Sequence, residues 1–371
     1  MTLPLSRNLI ALDLLRFGCA LVVLAHHWGN SFIHFPPPGG GALLEGMAFA
    51  IGWSPWVNSG WIGVELFFLL SGFVIAWSAE ASSPTSFALR RLLRLVPAAW
   101  LCATLTAIAL LAFGALPVEA VVVQWAGTIL FWPMIRPIDP SYWTLAIEVS
   151  FYLLIGVSLV GGSSLRRIER VGMLLGLASA AYWIASYFVE VPSSDSRLIQ
   201  LTLLPHGCFF ALGILIRTGQ RSAPRLLPLA CSIPIGAAAL IEIEKHRIVI
   251  NGALPAHIPA LLLFLLGSLP ILFAERLQPW LARHVSASVA VMVGLMTYPL
   301  YLLHQELGAL LIGGLLHLGL PFWFAAAVAL AVMLIMAWAM VRYGEPPLRT
   351  MLKRLGSDRS RRPVSFGEAA L

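Results

Sequence analysis

At 371 residues, 59% of them hydrophobic and only 11% charged, with a mean hydropathy of +0.86, the chain is too apolar for a water-soluble domain and too long for one or two anchors. Its four cysteines, Cys19, Cys102, Cys208 and Cys231, all fall in apolar runs without a C-x-x-C or a nearby Cys/His ligand set. That argues against a disulfide framework and gives no reason to expect a metal.

Apolar runs near the ~20 residues a bilayer requires recur along the whole length. Helical length without alternation favours an all-α polytopic transmembrane helix bundle over a barrel. Ten spans are predicted, near 9–32, 61–80, 93–114, 143–161, 171–189, 198–217, 226–242, 255–274, 288–316 and 321–341. The first is too long and too charged for a cleavable signal peptide.

That first span, ALDLLRFGCALVVLAHHW, carries Arg16 and His27. Their spacing amounts to ~1100°, three turns plus ~20°, so both side chains share one stripe, roughly 16 Å apart along the axis. Ionisable groups inside a span mark a functional site by default. Asp13 pairs with Arg16 at i,i+3, and His26, rotated ~100° from His27, faces elsewhere. Beyond it, the stretch from Pro36 to Gly60, with runs of three prolines and three glycines, reads as a variable outer loop.

Span two opens on Glu65. The helix start FALRRLLRLVPAAW then crowds Arg90, Arg91 and Arg94 onto one surface, a cluster suited to gripping phosphates. The segment 118–135 is apolar but holds Glu119, Gln124 and Pro133, and is read as interfacial or re-entrant. Span four opens on Glu148, span six contains His206, and span nine contains Tyr298, His304 and Glu306. His34, His246, His257, His284 and His317 fall in or near loops and are expected to be solvated. Residues 1–343 form the transmembrane domain, and 344–371 a basic, partly disordered cytoplasmic tail.

With the N-terminus inside, nineteen Lys and Arg lie in inner loops and ends against four outside, Arg136, Arg197, Lys245 and Arg247. This bias places both termini in the cytoplasm. The net charge of +7 is thereby topology and attraction to membrane lipids, with no nucleic acid required. The same topology sorts the polar groups into two layers. Asp13, Arg16 and the arginine cluster lie near the cytoplasmic face, and His27, Glu65, Glu148, His304 and Glu306 nearer the outside, where a carboxylate beside an imidazole suits general-base chemistry.

Arg16 and His27 fit an R-x10-H pattern, followed in order by SGWIGVELFFLLSGFVIAW, RRLLRLVPAAW, SYWTLAIEVSFYLL, LPHGCFFALGILI, GLMTYPLYLLHQ and YGEPPLR. From Leu12 to Arg349 the chain resembles the acyltransferase-3 family of integral membrane acyltransferases. The resemblance implies a ten-helix acyl-transferring domain of the bacterial cytoplasmic membrane. It also implies a cytoplasmic acyl-CoA co-substrate, acetyl-CoA or another short acyl-CoA, with no permanently bound cofactor. The acceptor would be an extracytoplasmic glycan, a lipid-linked sugar or another secreted molecule. Carried over by position, the motif histidine is His27, its arginine Arg16, the R-x-x-R pair Arg91 and Arg94, and the motif carboxylates Glu65 and Glu148. Many relatives add an SGNH-type hydrolase domain; the tail here is too short for one, so transfer is completed alone or with a separate SGNH-type or glycan-assembly partner. Position 65 is often Asp in the family, and Glu keeps the charge one methylene further out.

The expected mechanism is O-acyl transfer. Arg90, Arg91 and Arg94 hold the CoA phosphates, His27 deprotonates the acceptor hydroxyl, Glu65 or Glu148 orients His27, and Arg16 or Tyr298 steadies the oxyanion. His304 is counted among the groups around the bound substrates. The alternative is a proton-coupled secondary transporter, since buried His/Glu/Arg relays also move protons; it would want broken helices in matched halves, which the sequence does not show.

Overall fold

In lipid every backbone polar group must be satisfied within its own segment, and the computed structural model answers with helices throughout. It describes residues 9–32, 35–45, 55–80, 82–223, 225–251 and 257–358, with no strand among them. Arg7, His34, much of the loop before span two and Arg359, Arg361 and Arg362 of the tail lie outside the described residues.

The chain runs α1 (Ile10–His26), which passes into a π-helical turn over His27–Ser31, then α2 (Ile62–Ala79), α3 (Pro84–Ala112), α4 (Val118–Ile129), α5 (Trp143–Ser158), α6 (Leu165–Ala185), α7 (Gly207–Arg221) and α8 (Leu226–Asn251). It continues through α9 (His257–Leu272), α10 (Ala274–His284), α11 (Ala287–Leu303), α12 (Glu306–His317), α13 (Phe322–Ala339) and α14 (Glu345–Asp358). Among the described residues, seven helices are long and apolar enough to cross a membrane alone, or up to nine if each bent pair counts as one span. This is a multi-pass membrane bundle, but the count of ten is not reproduced. The predicted sixth span resolves into a short helix, Arg197–Leu201, and the fifteen-residue α7. The predicted eighth span is α9, which ends at an 82° bend into α10, and the ninth is broken by a bend of 70° between α11 and α12. Helix α4, at twelve residues, is about 18 Å long and too short to span. The basic tail is helical through Asp358.

Local chemistry sets the helix that carries the arginines. Ser83 accepts a hydrogen bond from the Ser86 amide and Pro84 takes the first turn, a strong start signal. Helix α3 therefore begins nine residues before the predicted span, and Arg90, Arg91 and Arg94 ride on it.

Helix α2 lies at the centre, packed on α1, α7 and α9. Its crossing with α7 is backbone on backbone: a Cβ at Gly72 would strike the Phe210 carbonyl, and one at Gly213 the Leu69 carbonyl. Small residues permit such approaches where no hydrophobic effect drives helices together. The close crossing brings the start of α7, with His206, beside the first turn of α2, with Glu65.

Candidate active site

Two cavities meet inside the bundle. One, of about 100 Å³, is walled by Arg16, Arg91, Arg94, Glu148, Tyr152 and Tyr298; the other, of about 290 Å³, by His26, His27, Trp61, Glu65, Trp143 and His246. Val64 and Tyr301 line both, so these two side chains form the partition between an arginine cavity and a histidine cavity.

On the arginine side, Arg16 donates to Asp13 at 3.0 Å, the i,i+3 pair expected from the sequence. The Arg91 guanidinium lies 5.6 Å and 5.7 Å from the ring centres of Phe87 and Tyr152, held flat by aromatic faces. Arg90 does not join this wall. It hydrogen-bonds the hydroxyls of Ser82 and Ser86 and the Ser78 carbonyl, tying α3 to the end of α2. The Tyr298 hydroxyl is buried and unpartnered. Glu148 also belongs here, accepting from the Tyr152 hydroxyl, and not in the histidine layer where counting from its helix start puts it.

On the other side, both histidines sit where a helix loses its regularity. His27 opens the π-helical turn, a widening that re-aims side chains and recurs at functional sites. His304 follows α11 at the 70° break. The break is fastened from two sides. Asp139 accepts the Glu306 amide at 2.9 Å, and the Glu306 carboxylate accepts the amides of Gly39 and Gly40 at 3.2 Å and 2.7 Å. Part of the Pro-Gly loop is thus drawn into the bundle. Trp28, one residue past His27, donates its indole N–H to the His304 carbonyl at 2.8 Å, locking the two irregular turns together.

The consequence is a direct contact between the imidazoles: His27 Nδ1 lies 2.9 Å from His304 Nε2, and His304 Nδ1 lies 2.6 Å from the Tyr301 carbonyl. A carbonyl only accepts, so His304 Nδ1 carries the proton and its Nε2 is a lone pair. His27 Nδ1 must then be the donor. By this assignment Nε2 of neutral His27 is left with a free lone pair, the state a general base needs. Neither Glu65 nor Glu148 orients His27, as the sequence suggests; no hydrogen bond or ion pair joins them to it among the described residues. His304 takes that place, because only the folded chain brings the α11 break against α1.

Glu65 has other neighbours. Buried at the first turn of α2, it faces His206 Nδ1 at 3.8 Å, with Glu242 of α8 on the same nitrogen at 3.6 Å. Sequence reasoning passed over Glu242, although an acid closing an apolar run is a usable signal. It also read His246 as solvated, whereas the ring packs on Trp61, centroids 4.6 Å apart. His26 turns toward the Val57 carbonyl, 3.3 Å away.

An acyltransferase-domain family matches residues 9–342. The chain is also 26% identical over 377 residues to Nodulation protein 10 of Rhizobium leguminosarum bv. viciae, an alignment covering 92% of this chain and 94% of that protein. No solved structure matches it.

Proposed function

Because the chain belongs to the acyltransferase-3 family of membrane acyltransferases, we propose that it carries an acetyl or short acyl group from cytoplasmic acyl-CoA to a hydroxyl of an extracytoplasmic glycan or other secreted acceptor. The observation that carries this reading is the pair of cavities meeting at Val64 and Tyr301. One is cationic, as a phosphate-bearing donor requires, and the other holds a histidine with a free nitrogen. The alternative, a proton-coupled secondary transporter, would want broken helices in matched halves, and both bent helix pairs among the described residues lie in the second half of the chain.

In this mechanism Arg91 and Arg94 hold CoA phosphates and the narrow cavity admits the thioester arm past Arg16. The acceptor enters the wider histidine cavity. His27 Nε2 takes the hydroxyl proton as the oxygen attacks the thioester carbonyl, and the C–S bond breaks to release CoA thiolate, which recovers that proton from His27. His304 accepts the Nδ1–H of His27 throughout and stabilises the imidazolium. The Tyr298 hydroxyl, free of protein partners, supports the oxyanion better than Arg16, already engaged by Asp13. Both termini cytoplasmic and a bacterial inner-membrane location complete the proposal.

Mass spectrometry of surface and secreted glycans from a gene-deletion strain tests it. The expected result is loss of an acyl mass, restored by the wild-type gene and not by His27→Ala at equal membrane abundance. Restoration by both genes overturns the mechanism.

A further inference from the structure

One deeply buried polar cluster plays no part in that mechanism. Glu65, His206 and Glu242 are each at most 5% exposed, and their ligand-type atoms all lie within 4.8 Å of one another. The contacts of 3.8 Å and 3.6 Å to His206 Nδ1 are too long for hydrogen bonds. Glu65 Oε2, Glu242 Oε2 and both His206 ring nitrogens have no hydrogen-bond partner. Two carboxylates and an imidazole, converging yet unbonded in an apolar bundle, are costly unless something satisfies them together.

We propose that Glu65, His206 and Glu242 bind a divalent metal ion of the zinc class. Tetrahedral bonds of about 2.0–2.2 Å put neighbouring ligand atoms roughly 3.4 Å apart. The two carboxylate–imidazole separations, 3.8 Å and 3.6 Å, are within a few tenths of an ångström of that, and the set, which lies within 4.8 Å, closes on an ion by rotation of the two glutamate side chains. A dication also neutralises both carboxylates, which a lone imidazolium does not. The mixed imidazole and carboxylate set favours zinc-class ions over calcium or magnesium, which prefer all-oxygen sites. His206 is already oriented, its ring flanked by Phe68 and Trp143 at 5.1 Å and 5.7 Å between centroids. Three protein ligands leave a fourth position open, and Glu65, a wall of the histidine cavity, gives the ion its path in. Bound there, it joins α2, α7 and α8 beside the acceptor side. The ligands come from three distant segments, so no sequence spacing announces them.

Purified full-length protein in detergent, stripped with a chelator and loaded with Zn²⁺ or Co²⁺, provides a test that needs no acyl-transfer assay. Elemental analysis after desalting should find one Zn²⁺ per chain, and the Co²⁺ form should show the visible absorption of a tetrahedral site. Affinity should fall roughly 10–100-fold or more in His206→Ala and Glu242→Gln and persist in His27→Ala. Absence of stoichiometric uptake by the wild type overturns the proposal, as does undiminished binding in both ligand variants. Loss in His27→Ala with retention in His206→Ala would assign the ion to the histidine pair and equally overturn it. Should the ligand variants not fold, Glu242→Asp decides: it should keep the ion with an altered Co²⁺ spectrum, and an unaltered spectrum excludes Glu242 as a ligand.

Discussion

The arginine cavity is made from straight helix and the histidine cavity from broken helix. Arg16, Arg91 and Arg94 project from unbroken runs of α1 and α3, whereas His27 and His304 each sit at a π-helical turn or a 70° bend. A cation that grips phosphate needs only to be on the right stripe, because long flexible side chains and several donors tolerate error. A base must place one nitrogen within hydrogen-bond reach of one proton. In the proposed mechanism the helix is bent where that accuracy is required, and Asp139, Glu306 and Trp28 hold the bend.

The comparison breaks outright if the two cavities do not open to opposite sides of the membrane. Reporter fusions after Ser59 and after Arg354 should give opposite localisation signals, all or none. Matching signals would put donor and acceptor on one side. Next in size is the proposed base. His27→Ala should lose ~10²–10⁴ in rate, while His26→Ala, whose ring faces Val57, should keep most of its activity after correction for protein level. Equal activity in the two variants would remove His27 from the chemistry.

How much of this was legible in the sequence follows the same division. The Asp13–Arg16 pair and the shared stripe of Arg16 and His27 are consequences of helical period and needed no tertiary knowledge. The pairing of His27 with His304 was not available, because it depends on which way α11 bends, and that is set by Asp139 and by the Gly39–Gly40 amides from elsewhere in the chain. Glu148 was misplaced for a related reason: depth counted along one helix says nothing about which cavity its neighbour Tyr152 belongs to. Arg90 shares a helix surface with Arg94 by spacing, yet short-range serines outcompeted the cavity for it.

His304 sharpens the contrast between a base and its support. His304→Leu leaves the His27 ring with the Val23 carbonyl but without the imidazole that fixes its orientation, and misplacement of about 1 Å is enough to cost ~10²-fold. The loss should fall on kcat with KM for acetyl-CoA little changed. His304→Gln offers an amide oxygen as acceptor and should recover part of it. A loss borne by KM, or no difference between Leu and Gln at position 304, would mean that His304 shapes the cavity without setting the tautomer.

The smallest effect separates two neighbours on α3. A charge-assisted hydrogen bond is worth about 1.5–3 kcal/mol, and a partly wet cavity mouth argues for the lower end, so Arg94→Ala should weaken acetyl-CoA binding by about tenfold. Such contacts are made equally in ground and transition state, so kcat at saturating donor should hold. Arg90→Ala removes a guanidinium of the same charge from the same helix, but one spent on Ser78, Ser82 and Ser86. Long-range attraction between exposed charges is screened within about 8–10 Å at physiological salt, so its donor affinity should stay within about twofold of wild type. Calorimetric titration of the two variants with acetyl-CoA reads the difference directly. Equal weakening would mean that the arginine cavity acts through its overall positive potential, and that the individual contacts assigned to Arg94 are not what binds the donor.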